Sequence, residues 1–328
     1  MSTVTTPATR GVPGPTPERG TERPHSRRGL LRLVPLLLVL AGMIVLLYPV
    51  LATQYNNIKQ REFAVQYNNQ VQAASPDALA TERERARDYN ATLSGVPILD
   101  PYLSGVSSVP LSEAYQQYRD TLSSFEAMAR VRVPTASIDL PVYHGTSDDV
   151  IAKGAGHLYG TSVPVGGTST HAVLTSHTGM SNATLFDHLA KVKQGELMYI
   201  DVAGETLAYQ VDSIKIVLPT EIDDLQVVEG ADLLTLFTCT PYAVNTHRLL
   251  VTGHRVPYDP ATAPADASPV TSLFDLEPWM IGLLGGAFLA LTLIIVIVVR
   301  ETRARRDSSL RAVRHSRSAD DLRPRRLP

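Results

Sequence analysis

Cys239, the only cysteine of the 328-residue chain, is the residue whose type and setting most favour chemistry. Residues 233–238 alternate like a strand, and Pro241 cannot continue a hydrogen-bonded ladder, so we expect the thiol at a strand terminus. A solitary thiol forms no disulfide within its own chain, and it is either a small buried hydrophobe or a reactive group. To act as a nucleophile it needs a neighbouring base or cation that favours the thiolate.

Arg248 and two histidines are the candidates for that neighbouring group. Arg248 lies at the start of the next apolar run, and the residues between are numerous enough to turn the chain back as a wide hairpin. This hairpin would bring Arg248 close to Cys239. His177 ends another apolar run in the same strand-then-loop setting, whereas His247 adjoins the arginine. Spacing favours His177 only slightly over His247 as the base, and a histidine at a strand end often has a structural role alone.

The elements that would position these residues are short strands separated by turns. The predicted strands are Val131–Val133, Leu140–Tyr143, His171–Thr175, Leu197–Val202, Thr206–Val217, Leu233–Thr238 and Leu249–Val256. We expect short helices near 148–153 and 182–190, and turns in the Gly-rich residues 154–167. Many short strands at regular spacing predict a mainly β fold, either a closed barrel or a sandwich of about 125 residues.

Upstream of the strands the pattern is helical. Residues 53–93 are polar and rich in helix formers, and residues 112–130 return to helical periodicity. Gly and Pro punctuate residues 93–105 between them, which predicts a loop. The chain contains no internal repeat, no phosphate-binding glycine loop and no His-Glu-x-x-His motif.

Two charge-free apolar runs, residues 33–52 and 279–299, are each long enough to cross a bilayer at about 30 Å. Residues 1–32 carry six Arg against two acids, and residues 300–328 carry ten Arg against four. Positive flanks remain in the cytoplasm, so we expect both termini inside and residues 53–278 outside. The first run could instead be a cleaved signal peptide, but the second would anchor the protein in either case.

The middle of the chain is acidic, with 14 basic and 26 acidic residues between positions 33 and 299. A surface that follows nucleic-acid phosphates needs clustered Lys and Arg, so we expect no nucleic acid among the partners.

Residues 234–255 closely resemble the signature of sortases. They contain the Thr-Leu-x-Thr-Cys motif of that family at 235–239, followed by the arginine of the next strand. Ser-His-Thr-Gly at 176–179 is similar to the catalytic histidine motif of sortases. Further stretches that look like the sortase barrel are residues 142–146 and 156–167. The resemblance covers about residues 131–256 and favours His177 over His247.

The resemblance implies a sortase-type closed β-barrel and a cysteine transpeptidase. Such enzymes cut a Leu-Pro-x-Thr-Gly-type sorting signal between Thr and Gly through a thioacyl intermediate. Cys239 would be the nucleophile, His177 the proton donor and acceptor, and Arg248 the group that binds the signal and stabilises the oxyanion. Thr178 and Thr238 adjoin these residues and are candidate substrate contacts. The scheme requires no metal and no cofactor.

Asp100, Pro101 and Tyr102 resemble the lid motif of class C sortases, which build pili, and the C-terminal apolar run is also typical of that class. The resemblance implies that Asp100 pairs with Arg248 and that Tyr102 covers Cys239. The implied partners are pilin subunits with a sorting signal and an acceptor lysine, and a lipid-linked peptidoglycan precursor. The alternatives are a housekeeping sortase that anchors proteins to the wall, and a non-catalytic membrane adhesin or scaffold.

The expected organisation therefore has seven parts along the chain. These are a basic cytoplasmic tail at 1–32, a transmembrane helix at 33–52, extracellular helices at 53–130 with a lid loop at 95–105, a catalytic barrel at 131–257, a linker at 258–278, a transmembrane helix at 279–299, and an Arg-rich cytoplasmic tail at 300–328.

Overall fold

The structure is a computed structural model that describes residues 27–93, 113–221, 223–260 and 276–321. Within these ranges, eight strands form a closed barrel and five α-helices accompany it. The strands are β1 (Ala129–Val133), β2 (Ile138–His144), β3 (Ala155–His157), β4 (Thr170–Thr175), β5 (Leu197–Val202), β6 (Glu205–Val217), β7 (Asp232–Thr240) and β8 (His247–Val256). The helices are α1 (Arg27–Ala73), α2 (Pro76–Thr92), α3 (Glu113–Asp120), α4 (Asp148–Ile151) and α5 (Pro278–Asp321).

The barrel closes in the order β1-β2-β3-β4-β7-β8-β6-β5. β2 and β3 run parallel, as do β4 and β7, and the other neighbours are antiparallel. Alternate aliphatic side chains along the strands fill the interior, among them Val131, Leu174, Ile200, Leu234 and Leu236, each fully buried. The prediction of a mainly β fold is confirmed, and of its two alternatives the chain adopts the closed barrel.

Each strand predicted from the sequence is present, with ends that differ by no more than two residues, but β3 is an addition. It lies within residues 154–167, where the prediction of turns alone is wrong. Gly156 at its centre pairs with Tyr143 on β2 and Thr175 on β4. A Cβ at this position would lie 2.4 Å from the carbonyl oxygen of Gly145, so the close approach of the chain requires glycine in a strand.

The helix predicted over residues 112–130 is correct only for α3. Turns follow α3, and Leu122 has a φ of +56°, which is incompatible with a continued right-handed helix. Tyr118, Leu122 and Met128 are nevertheless all buried. Their spacing therefore reflects burial of a wrapped segment, and the sequence pattern alone could not distinguish this from one face of a helix.

The first apolar run and the polar residues after it, as far as Ala73, form one continuous helix, α1, and the rest of the polar segment forms α2. Between positions 50 and 71 one of its faces is turned toward the rest of the chain, with residues three or four positions apart. We call these seven residues the α1 seam: Val50, Thr53, Asn57, Gln60, Ala64, Tyr67 and Val71.

The α1 seam contacts two different parts of the chain. In its N-terminal half, Asn57 donates from Nδ2 to Thr184 Oγ1 (2.8 Å) and accepts the Thr184 N–H (3.1 Å). Thr53 beside it donates to the Ser181 carbonyl at 3.3 Å. In its C-terminal half, the Tyr67 hydroxyl accepts the N–H of Ala203, in the β5–β6 turn, at 2.9 Å. The N-terminal half of the seam thus binds the 181–184 loop by hydrogen bonds, and the C-terminal half binds the barrel.

Buried aromatic rings join α2 and α3 to the barrel. The Tyr118 hydroxyl accepts the N–H of Gly145 (2.8 Å) and donates to the His157 carbonyl (3.0 Å). His157 is fully buried, and its Nε2 donates to the Ser162 carbonyl at 2.8 Å. Burial lowers the pKa of His157 to about 4, so the ring is neutral at physiological pH.

The described part of the chain divides into two compact units. One is Leu47–Gly285, with the barrel and α2–α4, and the other holds α1 up to Leu46 and α5 from Gly286 onward. α1 and α5 are both long and apolar enough to cross a membrane by length and composition. α5 continues to Asp321, so the segment predicted as the C-terminal tail begins as helix.

Candidate active site

β7 and β8 place Cys239 directly opposite Arg248. Their Cα atoms are register partners in the antiparallel pair, so the two side chains lie on the same face of the sheet. Leu236 points into the barrel. Because side chains alternate along a strand, Phe237 and Cys239 both point away from the interior. Cys239 is 7% exposed and Arg248 is 5% exposed, which makes this a sheltered pair.

The loop between β7 and β8 holds the arginine side chain. The Pro241 carbonyl accepts the N–H groups of Val244 and Asn245, both at 3.0 Å, and so closes a tight turn. Arg248 Nη1 donates to the Asn245 carbonyl at 3.2 Å and lies 3.1 Å from the His247 carbonyl. These contacts fix one end of the guanidinium group against the β7–β8 loop.

β4 brings His177 level with Cys239. β4 and β7 run parallel, with Thr175 opposite Phe237 as the last pair of the ladder. His177 and Cys239 each follow two residues later along their strands. A side chain reinforces this last pair, since Thr175 Oγ1 donates to the Phe237 carbonyl at 3.0 Å. The two strands therefore deliver a histidine and a cysteine to the same end of the barrel.

His247, the alternative base, is less favourably placed. It is the register partner of Thr240, so it lies one position from the Cys239–Arg248 pair along both strands. Successive side chains of a strand point to opposite faces, which directs His247 to the face opposite Cys239. Its Nδ1 lies 2.9 Å from Thr246 Oγ1.

Thr178 and Thr238 connect the two strand ends. Thr238 Oγ1 donates to the Ser176 carbonyl at 2.7 Å and lies 2.9 Å from Thr178 Oγ1. Thr238 is only 2% exposed, whereas Thr178 is half-buried. Both threonines hold the histidine strand against the cysteine strand, and their contact with substrate stays a prediction.

Two residues shape the turn after His177: Gly179, the last residue of the Ser-His-Thr-Gly motif, and Asp187, which sequence reasoning did not identify. Gly179 has a φ of +81°, and a Cβ added there would meet the backbone N of Ala243 in the β7–β8 loop at 3.4 Å. Asp187 accepts the Gly179 N–H on Oδ1 at 2.7 Å. No sequence signal pairs Gly179 with Asp187, because the contact depends on how the intervening loop closes.

The electrostatics of the site favour a neutral histidine. Burial lowers the pKa of half-buried His177, and the carboxylate of Asp148, at the start of α4, opposes this effect. Burial also raises the pKa of Asp187 to about 6, against the hydrogen bond from Gly179. Among the residues whose positions are described, no group of three or more His, Cys, Asp or Glu is arranged to hold a metal ion.

The predicted lid residues Asp100, Pro101 and Tyr102 lie outside the described residues. Their contacts with Arg248 and Cys239 therefore stay a prediction.

Comparison with known proteins identifies the family of the barrel. The family profile described as Sortase domain matches residues 131–256. Sortase A of Bacillus anthracis is 28% identical over 138 residues, which cover 42% of this chain and 63% of that protein. For Sortase A of Streptococcus agalactiae the identity is 29%, over 37% of this chain and 49% of that protein. The chain thus spans 63% and 49% of the lengths of these two curated relatives, less than two thirds in both cases.

Three solved structures are similar over nearly their whole length. Sortase C-1 from Actinomyces oris is 50% identical, with a TM-score of 0.54 over 56% of this chain and 99% of that one. A pilus-related sortase C of Group B Streptococcus is 42% identical, with a TM-score of 0.54 over 59% of this chain and 97% of that one. A structure described as a lid mutant of Sortase A from Corynebacterium diphtheriae is 44% identical, with a TM-score of 0.53 over 57% of this chain and 98% of that one.

The chain belongs to the sortase family, whose members are cysteine transpeptidases. Class C sortases are among its structural neighbours, which confirms the resemblance noted in the sequence.

Proposed function

We propose that this protein is a membrane-anchored transpeptidase that cleaves an LPxTG-type sorting signal and transfers it to a pilin lysine. The observation that carries the proposal is the placement of three residues at one end of the barrel by the register of neighbouring strands. Cys239 lies opposite Arg248 on the neighbouring strand, and His177 ends the strand on its other side.

The first half-reaction forms a thioester. The sulfur of Cys239 attacks the carbonyl carbon of the signal's threonine, and neutral His177 receives the thiol proton. The lowered pKa of His177 favours this, because only the neutral ring can accept a proton. The Thr–Gly C–N bond then breaks, and the protonated ring gives its proton to the leaving glycine amine.

The second half-reaction reverses these roles. A lysine amine attacks the thioester carbonyl, His177 takes a proton from the incoming nitrogen, and the C–S bond breaks to release Cys239. Arg248 stabilises the negative oxygen in both steps, because its guanidinium is permanently charged and already held by the β7–β8 loop. Shelter of the thiol limits hydrolysis by water, which competes with the amine.

The pilin substrate and the lid are inferred from the neighbours together with the residues. One similar structure is described as a pilus-related sortase C and another as a lid mutant, and these descriptions apply to those two proteins. Here, Asp100 would pair with Arg248 and Tyr102 would cover Cys239, closing the groove until substrate displaces them. A lipid-linked peptidoglycan precursor would be the final acceptor.

The membrane topology is also part of the proposal. Two apolar helices with Arg-rich outer flanks favour two spans, with residues 53–278 outside and both termini in the cytoplasm. Protease added to intact protoplasts should then degrade the middle of the chain and spare both tails. Digestion of the C-terminal tail from outside would contradict this topology.

A reconstitution tests the proposed reaction. The full chain in detergent micelles, mixed with a pilin that carries both a sorting signal and an acceptor lysine, should produce a ladder of covalent polymers. Cys239→Ala should abolish the ladder, and His177→Ala and Arg248→Ala should each slow it by about 100-fold or more. His247→Ala is the matched control and should retain activity.

The possible failures have different meanings. Polymers formed by Cys239→Ala would refute the nucleophile, and loss of activity in His247→Ala alone would move the base to His247. Attachment of the signal only to a peptidoglycan precursor amine would favour the housekeeping sortase. Binding of pilin with no covalent product would favour the adhesin or scaffold.

A further inference from the structure

The loop after β4 closes on itself directly behind His177. The N–H of Phe186 donates to the His177 carbonyl at 3.1 Å, and the N–H of Gly179 donates to Asp187 Oδ1 at 2.7 Å. Phe186 is fully buried in the core, so this end of the loop is anchored to the barrel. Asp187 therefore connects a fixed point of the barrel to the turn that carries the histidine.

We propose that Asp187 is a positioning residue, whose hydrogen bond to Gly179 holds the His177 turn against the loop that follows Cys239. The inference rests on the proposed function, because it assigns His177 the role of proton carrier. It adds a residue that lies outside the Thr-Leu-x-Thr-Cys and Ser-His-Thr-Gly motifs.

Gly179 lies next to the loop that follows Cys239. A Cβ added at Gly179 would come into ordinary van der Waals contact with Ala243, at 3.4 Å from its N and 3.7 Å from its Cα. Ala243 belongs to the same loop as Asn245, whose carbonyl accepts a hydrogen bond from Arg248. A displacement of Gly179 would thus change the separation between the histidine turn and the loop that supports Arg248.

Charged groups from several elements surround Asp187. His188 follows it in the chain, Lys191 lies in the short 3-10 helix Leu189–Lys191, and Glu277 precedes α5. His188 Nε2 and Glu277 Oε1 are 2.6 Å apart. From the β7–β8 loop comes Tyr242, whose pKa is raised by burial and then by the charges of Asp187 and Glu277.

This environment opposes ionisation of Asp187. Burial raises its pKa to about 6 and Glu277 acts in the same direction, while the Gly179 N–H, His188 and Lys191 act in the opposite one. An aspartate maintained where its charge is disfavoured is more typical of a functional site than of a packing site. Protonation below pH 6 weakens the carboxylate as an acceptor and so loosens the turn.

Two substitutions separate the hydrogen bond from the charge. Asp187→Asn keeps an acceptor oxygen at the same position but cannot ionise, whereas Asp187→Ala removes the acceptor. Asp212→Ala is the matched control, because Asp212 also accepts a hydrogen bond, from His254 at 2.9 Å, on the part of β6 that pairs with the far end of β8.

The experiment uses the full chain in detergent micelles with a sorting-signal peptide. Steady-state kcat and KM are measured between pH 5 and 8, and hydrogen–deuterium exchange is followed by mass spectrometry in peptides that contain Gly179. Asp187→Ala should lower kcat by about 10- to 100-fold with little change in KM, because the base is displaced while the binding groove remains. Exchange in the Gly179 segment should accelerate by about tenfold or more.

Asp187→Asn should restore kcat at neutral pH to within about threefold of the original enzyme. The fall of kcat at acidic pH should also change in this variant. The part near pH 6 that arises from Asp187 should disappear, and the part due to His177 should remain. Asp212→Ala should match the original enzyme in every measurement.

The outcomes separate this inference from the proposed function. Unchanged kcat and unchanged Gly179 exchange in Asp187→Ala would overturn the positioning role, as would an Asn variant as impaired as the Ala variant. Turnover absent from the original enzyme would refute the proposed function. In that case the exchange rates would still decide whether Asp187 holds the turn.

Discussion

Substitution of Gly179 by alanine tests how far the histidine turn depends on its contact with the β7–β8 loop. At a φ of +81° an L-residue is strained by roughly 1–2 kcal/mol relative to glycine. The new Cβ itself would lie in ordinary contact with Ala243, at 3.4 Å from its backbone N, so steric overlap adds little. The strain is relieved most directly if the turn rotates away from its present φ, and this moves His177 relative to Cys239.

A matched variant isolates the effect of position. Gly195 has a φ of +86°, with no atom within 4 Å of an added Cβ, so Gly195→Ala carries similar strain in open space. Both variants should lower the midpoint of thermal unfolding by about 2 to 8 °C. Only Gly179→Ala should also lower kcat for a sorting-signal peptide, by about 10- to 100-fold, because a displacement near 1 Å at a catalytic base costs that much.

The comparison of the two variants decides the reasoning. Equal losses of kcat in Gly179→Ala and Gly195→Ala would show that activity follows general stability. A Gly179→Ala enzyme with lowered stability and normal kcat would show that the contact with Ala243 does not position the histidine.

Two further predictions concern stability. His157 has a pKa depressed to about 4 when folded, against 6.5 when unfolded, so the unfolded chain binds more protons between these values and stability should fall as pH drops from 6.5 toward 4. His157→Gln should reduce this dependence by up to about 1.4 kcal/mol per pH unit, and an equal reduction in exposed His254→Gln would contradict the assignment. Asn57→Leu should cost about 1–3 kcal/mol of unfolding free energy, because the N–H of Thr184 loses its partner. A double-mutant cycle with Thr184→Val, which keeps the N–H, measures the coupling between Asn57 Nδ2 and Thr184 Oγ1, and additive losses would refute that side-chain contact.

The hairpin that joins Cys239 to Arg248 was predictable because its signals are local. Two antiparallel strands are indicated by an apolar alternation that ends at a proline and by a second alternation after a loop of six residues. Because the loop is short, it also limits the register of the two strands. The choice of His177 over His247 needed more than spacing. It depends on the parallel pairing of β4 with β7, which joins strands distant in sequence.

Other features were beyond sequence reasoning for identifiable physical reasons. β3 is three residues long and contains a glycine required by close backbone approach, so its composition resembles a turn. The wrapped segment after α3 buries residues at helical spacing without being helical. Asp187 is ten positions from His177, and only the closure of the loop brings its carboxylate behind the histidine turn.

The mixed character of the α1 seam determines where along its axis the helix can sit. A stripe of aliphatic residues alone tolerates sliding, because one apolar contact substitutes for another at small cost. Asn57 and Thr53 reduce that freedom in the N-terminal half of the seam, since movement by one turn, about 5.4 Å, would leave partly buried donors without these acceptors. These hydrogen bonds therefore favour one position of α1 along its own axis over positions shifted by a turn. A pull along its axis would load both the 181–184 loop, which begins four residues after His177, and the β5–β6 turn that binds Tyr67.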